Sequence, residues 1–167
     1  ALFDARGDIF SVPAEFGNTE NLTQTQGIRE IYPSWSPNGK FIVYYSDATG
    51  EYEIYLLENR KGAKPQQLTK NSSAWKYDNE WSPDSKYLLY SDRTLKLKLV
   101  NIDSKNETVV DKATENEFRS YVFSPDSKWV GYVSGSNLYV EEISTGRIKK
   151  LTTDGNRKLI NGTFDWA

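Results

Sequence analysis

Short apolar segments alternate with polar turns along this chain, and three of the turns share one pattern. In each copy an aromatic residue ends one apolar segment, Ser-Pro-Asn/Asp-Gly/Ser-Lys follows, and a second apolar segment rich in β-branched and aromatic residues begins. Pro presets φ at the first central turn position, Asn or Asp can bond its own backbone, and Gly or Ser tolerates the tight exit. The pattern therefore predicts β-hairpins over residues 32–47, 79–92 and 121–132.

Further apolar segments around these hairpins complete units of four short strands, the size of one propeller blade. The first unit begins with two strands joined by a turn at residues 6–8, and it has an outer strand at residues 21–23. An inner strand is predicted over residues 159–167. The strands of the other three units are predicted over 28–35, 41–45, 52–57 and 66–69, then 76–81, 87–90, 96–102 and 107–110, and finally 119–123, 129–133, 137–143 and 149–152.

Two ladders of apolar positions have the same spacing, which fixes the size of the repeat. The intervals are 46, 42 and 41 residues in both ladders, which are Trp35, Trp81, Phe123 and Phe164, and Leu22, Leu68, Val110 and Leu151. We therefore predict an all-β propeller of four-stranded antiparallel blades, with four blades in a single domain over residues 1–167. The blades cover approximately 159–167 plus 1–25, 26–70, 71–113 and 114–155.

In this arrangement the C-terminal strand is the inner strand of the first blade, a one-plus-three closure that leaves no free strand edge. Four blades in one ring must each turn by roughly 90°, whereas eight blades need roughly 45°. We therefore expect a homodimer with an eight-bladed ring, in which each C-terminal strand completes the first blade of the other copy. A closed four-bladed monomer is the alternative.

Composition and charge argue against several classes of partner. The chain has 167 residues, of which 37% are hydrophobic and 26% charged, and its net charge is −2. Without a block of Lys or Arg, we expect neither a nucleic-acid nor an anionic-membrane partner. No apolar run is long enough for a membrane span, no targeting segment is recognised, and the sequence assigns no compartment.

The sequence contains no His and no Cys. Their absence excludes the usual catalytic triads, thiol nucleophiles and zinc sites, and it removes the commonest general base near neutral pH. We therefore predict that the chain is not an enzyme, and we assign no catalytic, cofactor-binding or metal-binding residue. The sequence also has no Met, which is more natural for an engineered sequence.

Several polar and aromatic residues have a structural interpretation that outweighs a functional one. Asn38, Asp84 and Asp126 lie at matching turn positions, so turn chemistry explains them better than calcium binding. Glu141 and Glu142 are adjacent on a strand and must point to opposite faces. Lys residues alternate with Leu over 96–99, which is typical of the solvent face of a strand. We expect the aromatic residues to pack between blades: Trp35, Tyr44, Trp81, Tyr90, Trp129 and Tyr132.

Two stretches resemble known families. Residues 1–15, 21–23 and 35–55, with Trp35-Ser-Pro and the run from Tyr45 to Tyr55, resemble the N-terminal propeller of tricorn-type proteases, built from TolB-like blades, and the likeness runs to about residue 132. From about residue 133 the chain instead resembles a blade of the dipeptidyl peptidase four propeller, most specifically in Asn161-Gly-Thr-Phe-Asp-Trp166. Neither resemblance implies catalytic residues in this chain, because in both families the catalytic residues lie in domains outside the propeller. The combination indicates an engineered chimera or an excised segment.

Three functions are therefore expected in decreasing order. The first is a non-catalytic structural scaffold that self-assembles. The alternative is a peptide- or protein-binding propeller module derived from the substrate-gating propeller of a serine exopeptidase or tricorn-type protease, with a peptide in the central funnel. An enzyme comes last, because no pair of nucleophile and base can be named.

Overall fold

The computed structural model describes residues 1–70, 76–92, 94, 96–110 and 118–162, without the side chains of residues 77, 118 and 119. The described residues form strands and turns and contain no helix. In this part of the chain, fifteen strands are arranged in four antiparallel sheets, the first with three strands and the others with four each. Within every sheet the strands follow in chain order, which is the arrangement that successive hairpins produce.

The chain divides into two compact units, Ala1–Lys76 and Tyr77–Ala167, which are described separately. The N-terminal unit contains the first sheet, β1 (Leu2–Ala5), β2 (Asp8–Ser11) and β3 (Glu20–Asn21), and the second sheet, β4 (Glu30–Trp35), β5 (Phe41–Ser46), β6 (Glu53–Glu58) and β7 (Gln66–Gln67). The third sheet contains β8 (Lys76–Trp81), β9 (Tyr87–Asp92), β10 (Leu97–Asn101) and β11 (Glu107–Val109). The fourth contains β12 (Phe118–Phe123), β13 (Trp129–Ser134), β14 (Asn137–Glu142) and β15 (Arg147–Lys150).

The three Ser-Pro turns have the same hydrogen bonds in every copy. The Ser hydroxyl donates to the side-chain oxygen two residues later, over 2.9 Å to Asn38, 2.7 Å to Asp84 and 2.6 Å to Asp126. The same Ser oxygen accepts the N–H of the residue that opens the next strand, Phe41, Tyr87 or Trp129. The fourth turn residue is left-handed in each copy, with φ of 68°, 64° and 58° at Gly39, Ser85 and Ser127. The predicted hairpins are confirmed.

Backbone conformation at this turn leads to a prediction for two Gly→Ala variants. Gly39 has φ of +68° and a Cβ there would contact nothing within 4 Å, so Gly39→Ala tests backbone strain alone and is expected to cost about 1 kcal/mol. Gly131 lies inside β13, where a Cβ would be 3.7 Å from Val122 Cγ1, an ordinary contact. Gly131→Ala is therefore expected to stabilise the fold by about 0.5 kcal/mol. Urea unfolding of both variants measures the difference, and equal effects would contradict it.

Each unit has its own hydrophobic core between two sheets. In the N-terminal unit, Ile9 of the first sheet packs with Ile42, Tyr44 and Leu57 of the second, and Trp35 packs against them. In the C-terminal unit the core residues are Leu89, Leu97, Leu99, Val110, Phe123, Val130 and Tyr132. Tyr44, Tyr90, Tyr132 and Trp81 are buried as predicted, whereas Trp35 and Trp129 are half-buried.

The predicted inner strand over residues 159–167 differs from the structure in its described part. Leu159 forms an isolated bridge with Asn156. The Asn156 side chain accepts the N–H groups of Lys158 and Leu159 at 2.9 and 3.2 Å, which closes a local turn in place of a strand. Gly162 follows with φ of +78°. Residues 163–167, with Phe164 and the predicted closure, lie outside the described residues.

Candidate functional site

A threonine closes the outer strand of three sheets, and we call this arrangement the threonine clasp. Its hydroxyl accepts the N–H of the second residue of the sheet's next-to-outer strand, over 3.0 Å to Ile9, 2.9 Å to Ile54 and 3.0 Å to Leu138. It also donates to the polar residue just before, which is Asp8, Glu53 or Asn137. The clasping residues are Thr23, Thr69 and Thr152. They leave the ladder to make these bonds, so each of these outer strands ends two residues earlier than predicted.

The acidic member of the second clasp carries a buried ion pair. Lys76 Nζ lies 2.8 Å from Glu53 Oε2 and donates to the Tyr52 carbonyl, also at 2.8 Å. Both charged side chains are almost fully covered, with 1% and 3% of their surface exposed. The ammonium, the Thr69 hydroxyl and the carboxylate therefore satisfy one another inside the protein.

The first clasp has two acids in the corresponding place. Asp8 accepts Asn21 Nδ2 at 2.8 Å and Thr25 N at 2.9 Å. Burial opposes its ionisation, but these bonds hold the pKa of Asp8 below its ordinary value. Glu30 is 3% exposed, and burial raises its pKa despite hydrogen bonds with Thr23 and Thr25, with the nearby Asp8 charge adding to the shift. Sequence reasoning did not single out Asp8 or Glu30 as a pair.

A third polar cluster covers one face of the third sheet. Lys98 Nζ lies 3.1 Å from both Asp92 Oδ2 and Glu107 Oε1, and Tyr90 donates to Glu107. Burial opposes the charge on Asp92, but bonds from Thr94 and Lys98 lower its pKa, while the two carboxylates raise the pKa of Lys98 against its own burial. Lys96 is exposed as predicted, whereas only 18% of the Lys98 side chain is exposed.

This cluster predicts a pH-dependent contribution to stability. Because the pKa of Asp92 is lowered from 3.8, its contribution exists above that value and is lost as pH falls through the folded-state pKa. The raised pKa of Lys98 places the alkaline loss above 10.5. Lys98→Met should therefore destabilise the protein at about pH 7 and have a smaller effect at about pH 3. Urea unfolding at both pH values measures this, and an effect independent of pH would contradict it.

A cavity of about 430 Å³ lies in the N-terminal unit, between the residues after β3 and the loop that joins β6 to β7. Its apolar floor consists of Leu22, Ile42, Leu57 and Ala63. Its rim carries charges of both signs, from Glu20, Glu58, Arg60 and Lys61. The loop is held by Ala63 N donating to Arg60 O at 3.1 Å and by Asn59 Nδ2 donating to Gly39 O at 3.0 Å. The sequence indicated only a Lys/Gly/Pro loop here.

Asn38, Asp84, Asp126 and Glu142 are not among the residues that line this cavity. Asn38, Asp84 and Asp126 are held within their own turns by the bonds given above. Glu142 pairs with Arg147 at 3.2 Å and accepts the Thr145 hydroxyl at 2.7 Å. In the described part of the chain, no group of three or more acidic residues could hold a metal ion. Within the same part, no helix is long and apolar enough to cross a membrane.

A family model described as the tricorn protease second beta propeller domain matches residues 1–162. The match confirms the resemblance to tricorn-type proteases, although the residues quoted above resembled the N-terminal propeller. The matched range includes residue 133, from about which the sequence indicated a second family.

Curated relatives include proteases and peptidases. The chain is similar to the "Tricorn protease homolog" of Saccharolobus solfataricus, at 24% identity over 153 residues, which are 89% of this chain and 14% of that protein. It is also similar to the "Probable dipeptidyl-aminopeptidase B" of Neosartorya fischeri, at 31% identity over 100 residues, 53% of this chain and 11% of that protein. The chain therefore spans less than a fifth of either relative.

Solved structures establish the fold. The crystal structure of the tricorn protease superposes with a TM-score of 0.73 at 13% identity, covering 91% of this chain and 15% of that one. TolB from Acinetobacter baumannii superposes with a TM-score of 0.59 at 19% identity, covering 92% of this chain and 41% of that one. Together with the four antiparallel sheets, these likenesses confirm the predicted all-β propeller fold.

Proposed function

We propose that this chain, which belongs to the family of tricorn protease second β-propeller domains, is a non-catalytic propeller module that binds peptides. The observation that carries the proposal is the cavity between β3 and the β6–β7 loop, with its apolar floor and charged rim. Its volume of about 430 Å³ lies in the range of ligand-binding pockets.

The chemistry of the cavity suits a short peptide segment. Leu22, Ile42 and Leu57 offer an apolar surface to one peptide side chain, while Lys61 and Glu20 offer opposite charges to a peptide's polar backbone and charged groups. The relatives that carry protease and peptidase names act on polypeptides, which favours a peptide over an unrelated small molecule.

The non-catalytic part of the proposal is supported by how the repeated polar side chains are used. The Ser and Asp side chains of the turns bond one another, and the clasping threonines bond buried backbone and carboxylate groups. A nucleophile needs an adjacent general base, and the sequence has neither His nor Cys to provide the usual pairs. The peptide would therefore be held and passed on unchanged.

Filling the cavity tests this function. Ala63→Phe should occupy the floor and weaken peptide binding at least tenfold, whereas Ala48→Phe makes the same change on the exposed turn after β5. The probe is a mixture of random octapeptides. The signal is Trp fluorescence, because Trp35 packs against the hydrophobic cluster that includes the floor residues Ile42 and Leu57. Saturable binding by the wild type and Ala48→Phe but not by Ala63→Phe is expected. No saturable change in the wild type would overturn the proposal.

A self-assembling scaffold is the second candidate, and the first sheet favours it. In the described residues this sheet has three strands, whereas each of the other sheets has four, so β1 has a place for one more strand beside it. A strand supplied by a second copy would give the eight-bladed homodimer. Light scattering tests this candidate, and a monomeric mass at about 100 μM would exclude the dimer.

A further inference from the structure

Glu30 and Lys76 occupy the same position in two successive repeats. Each is the first residue of a six-residue inner strand, β4 or β8, that ends five residues later at Trp35 or Trp81. Each is also almost completely buried, with 3% of its surface exposed. Because Glu30 and Lys76 carry opposite charges, the two buried side chains need partners of different charge.

Around Lys76 the charges balance. Its ammonium lies against the Glu53 carboxylate and the Tyr52 carbonyl, and the Thr69 hydroxyl donates to the same carboxylate. One cation, one anion and a hydroxyl thus form a neutral buried group, as burial requires.

Around Glu30 the charges do not balance. The threonine clasp is present here too, because Thr23 accepts the N–H of Ile9 and donates to Asp8. The position of Lys76, however, is occupied by Glu30, which adds a second carboxyl group in place of an ammonium. Thr23 and Thr25 hydrogen-bond both Asp8 and Glu30, so the two carboxyl groups share one pair of hydroxyls. Glu30 is almost fully buried and Asp8 is partly exposed, and the negative charge of Asp8 opposes ionisation of Glu30 unless a positive charge joins them.

One atom of Glu30 indicates how the imbalance is resolved. Glu30 Oε2 is buried and has no hydrogen-bond partner in the described residues, neither a donor for a carboxylate nor an acceptor for a carboxylic acid. A proton placed on Oε2 would itself lack an acceptor, whereas a cation would use the oxygen as a ligand.

We propose that Asp8 and Glu30 bind one divalent cation of the size of Ca²⁺, which takes the place that the Lys76 ammonium has in the next repeat. Two carboxylates neutralise its charge, and Ca²⁺ accepts carboxylate, hydroxyl and water oxygens in flexible numbers. The Thr23 and Thr25 hydroxyls, which hydrogen-bond Glu30, offer further neutral oxygens.

A pocket of about 300 Å³ is lined by Glu30 together with Asp4, Gly7 and Ile31. Arg6 and Arg29 also line the pocket, and the negative charge of Asp47 adds to that of Asp8 in opposing ionisation of Glu30.

The test titrates CaCl₂ into chelator-treated protein at about pH 7 and measures Tm by intrinsic fluorescence. Saturating Ca²⁺ should raise the Tm of the wild type by about 5 °C. Glu30→Gln, which keeps the shape and removes the charge, should abolish the rise, and the exposed Glu15→Gln should keep it. Glu30→Lys should copy the next repeat, with a Tm above that of the metal-free wild type and no response to Ca²⁺.

Two results would overturn the proposal. One is a wild-type Tm that is indifferent to Ca²⁺ at about 10 mM but rises between about pH 8 and pH 5, which would assign the pair a shared proton. The other is an equal Ca²⁺ response in the wild type and Glu30→Gln, which would assign the effect to the surface. If either Glu30 variant fails to fold, calorimetric titration of the wild type with CaCl₂ tests Ca²⁺ binding directly, and the absence of binding heat would overturn the proposal.

Discussion

Replacing Lys76 with Met is expected to lower the free energy of unfolding by about 3–5 kcal/mol, the largest effect of a single substitution that this structure predicts. The change keeps most of the apolar stem of the side chain but removes the ammonium that faces Glu53 at 2.8 Å. Glu53 is 2% exposed, so its carboxylate would remain buried without its positive partner. Urea unfolding of the wild type and the variant gives the difference.

A surface pair provides the matched control. Lys86 lies 3.9 Å from Asp84 with 65% of its side chain exposed, so Lys86→Met should change stability by less than about 0.5 kcal/mol. The double variant Glu53→Leu with Lys76→Met removes both charges and should recover most of the loss, because no charge then stays buried. A double variant as unstable as Lys76→Met would show that packing, rather than the unpaired charge, causes the loss.

Thr69→Val is expected to have the second-largest effect, about 2–3 kcal/mol. Valine has nearly the shape of threonine, so the change removes a hydroxyl without making a cavity. The hydroxyl accepts the N–H of Ile54 at 2.9 Å and donates to Glu53, and both partners are buried. The cost has this order because the Ile54 N–H is left unsatisfied and the buried Glu53 carboxylate loses one of its donors.

The threonine clasp of the fourth sheet provides a weaker case for comparison. Thr152 makes the same two bonds, to the Leu138 N–H at 3.0 Å and to the neutral amide of Asn137 at 3.1 Å, and it is only half-buried. Thr152→Val should therefore cost about 1 kcal/mol, and Thr49→Val on an exposed turn should cost almost nothing. Equal losses at Thr69 and Thr152 would contradict the role given to the buried charge.

The hairpins were predictable because their chemistry is local. Ser82, Asp84 and Tyr87 lie within six residues, and the bonds that close their turn follow from residue type and spacing. The blade repeat was predictable for the same reason, since Trp35 and Trp81 mark equal positions in successive hairpins. Local patterns of this kind survive tertiary packing because they are consistent with it.

The candidate sites were not predictable from local patterns. Asp8 and Glu30 are 22 residues apart in sequence and meet only when the first and second sheets pack. The sequence nevertheless contains a signal. When the repeats are aligned on Trp35 and Trp81, Glu30 and Lys76 fall at the same position, so the charge of the strand's first residue changes sign between the two repeats. The peptide cavity depends on how residues 58–63 fold back over Leu57, which composition does not encode.

The surroundings of Lys98 were likewise not predictable from the local sequence pattern. Alternation placed it on the solvent face of β10, and its register opposite Tyr90 and Val109 agrees with that face. The Lys98 side chain is nevertheless largely buried, because Asp92 and Glu107 on the two neighbouring strands contact its ammonium. Which charges meet across strands depends on register, and register follows from the turns between them.

The most direct test of a peptide-binding module without catalysis is to recover the peptide after binding. A labelled octapeptide selected by binding to the wild type is incubated with the protein in molar excess for several hours, and all peptide is then analysed by mass spectrometry. We predict that the peptide is retained by the wild type, released by Ala63→Phe and intact in both cases. Fragments that accumulate with time and in proportion to wild-type protein would contradict this account.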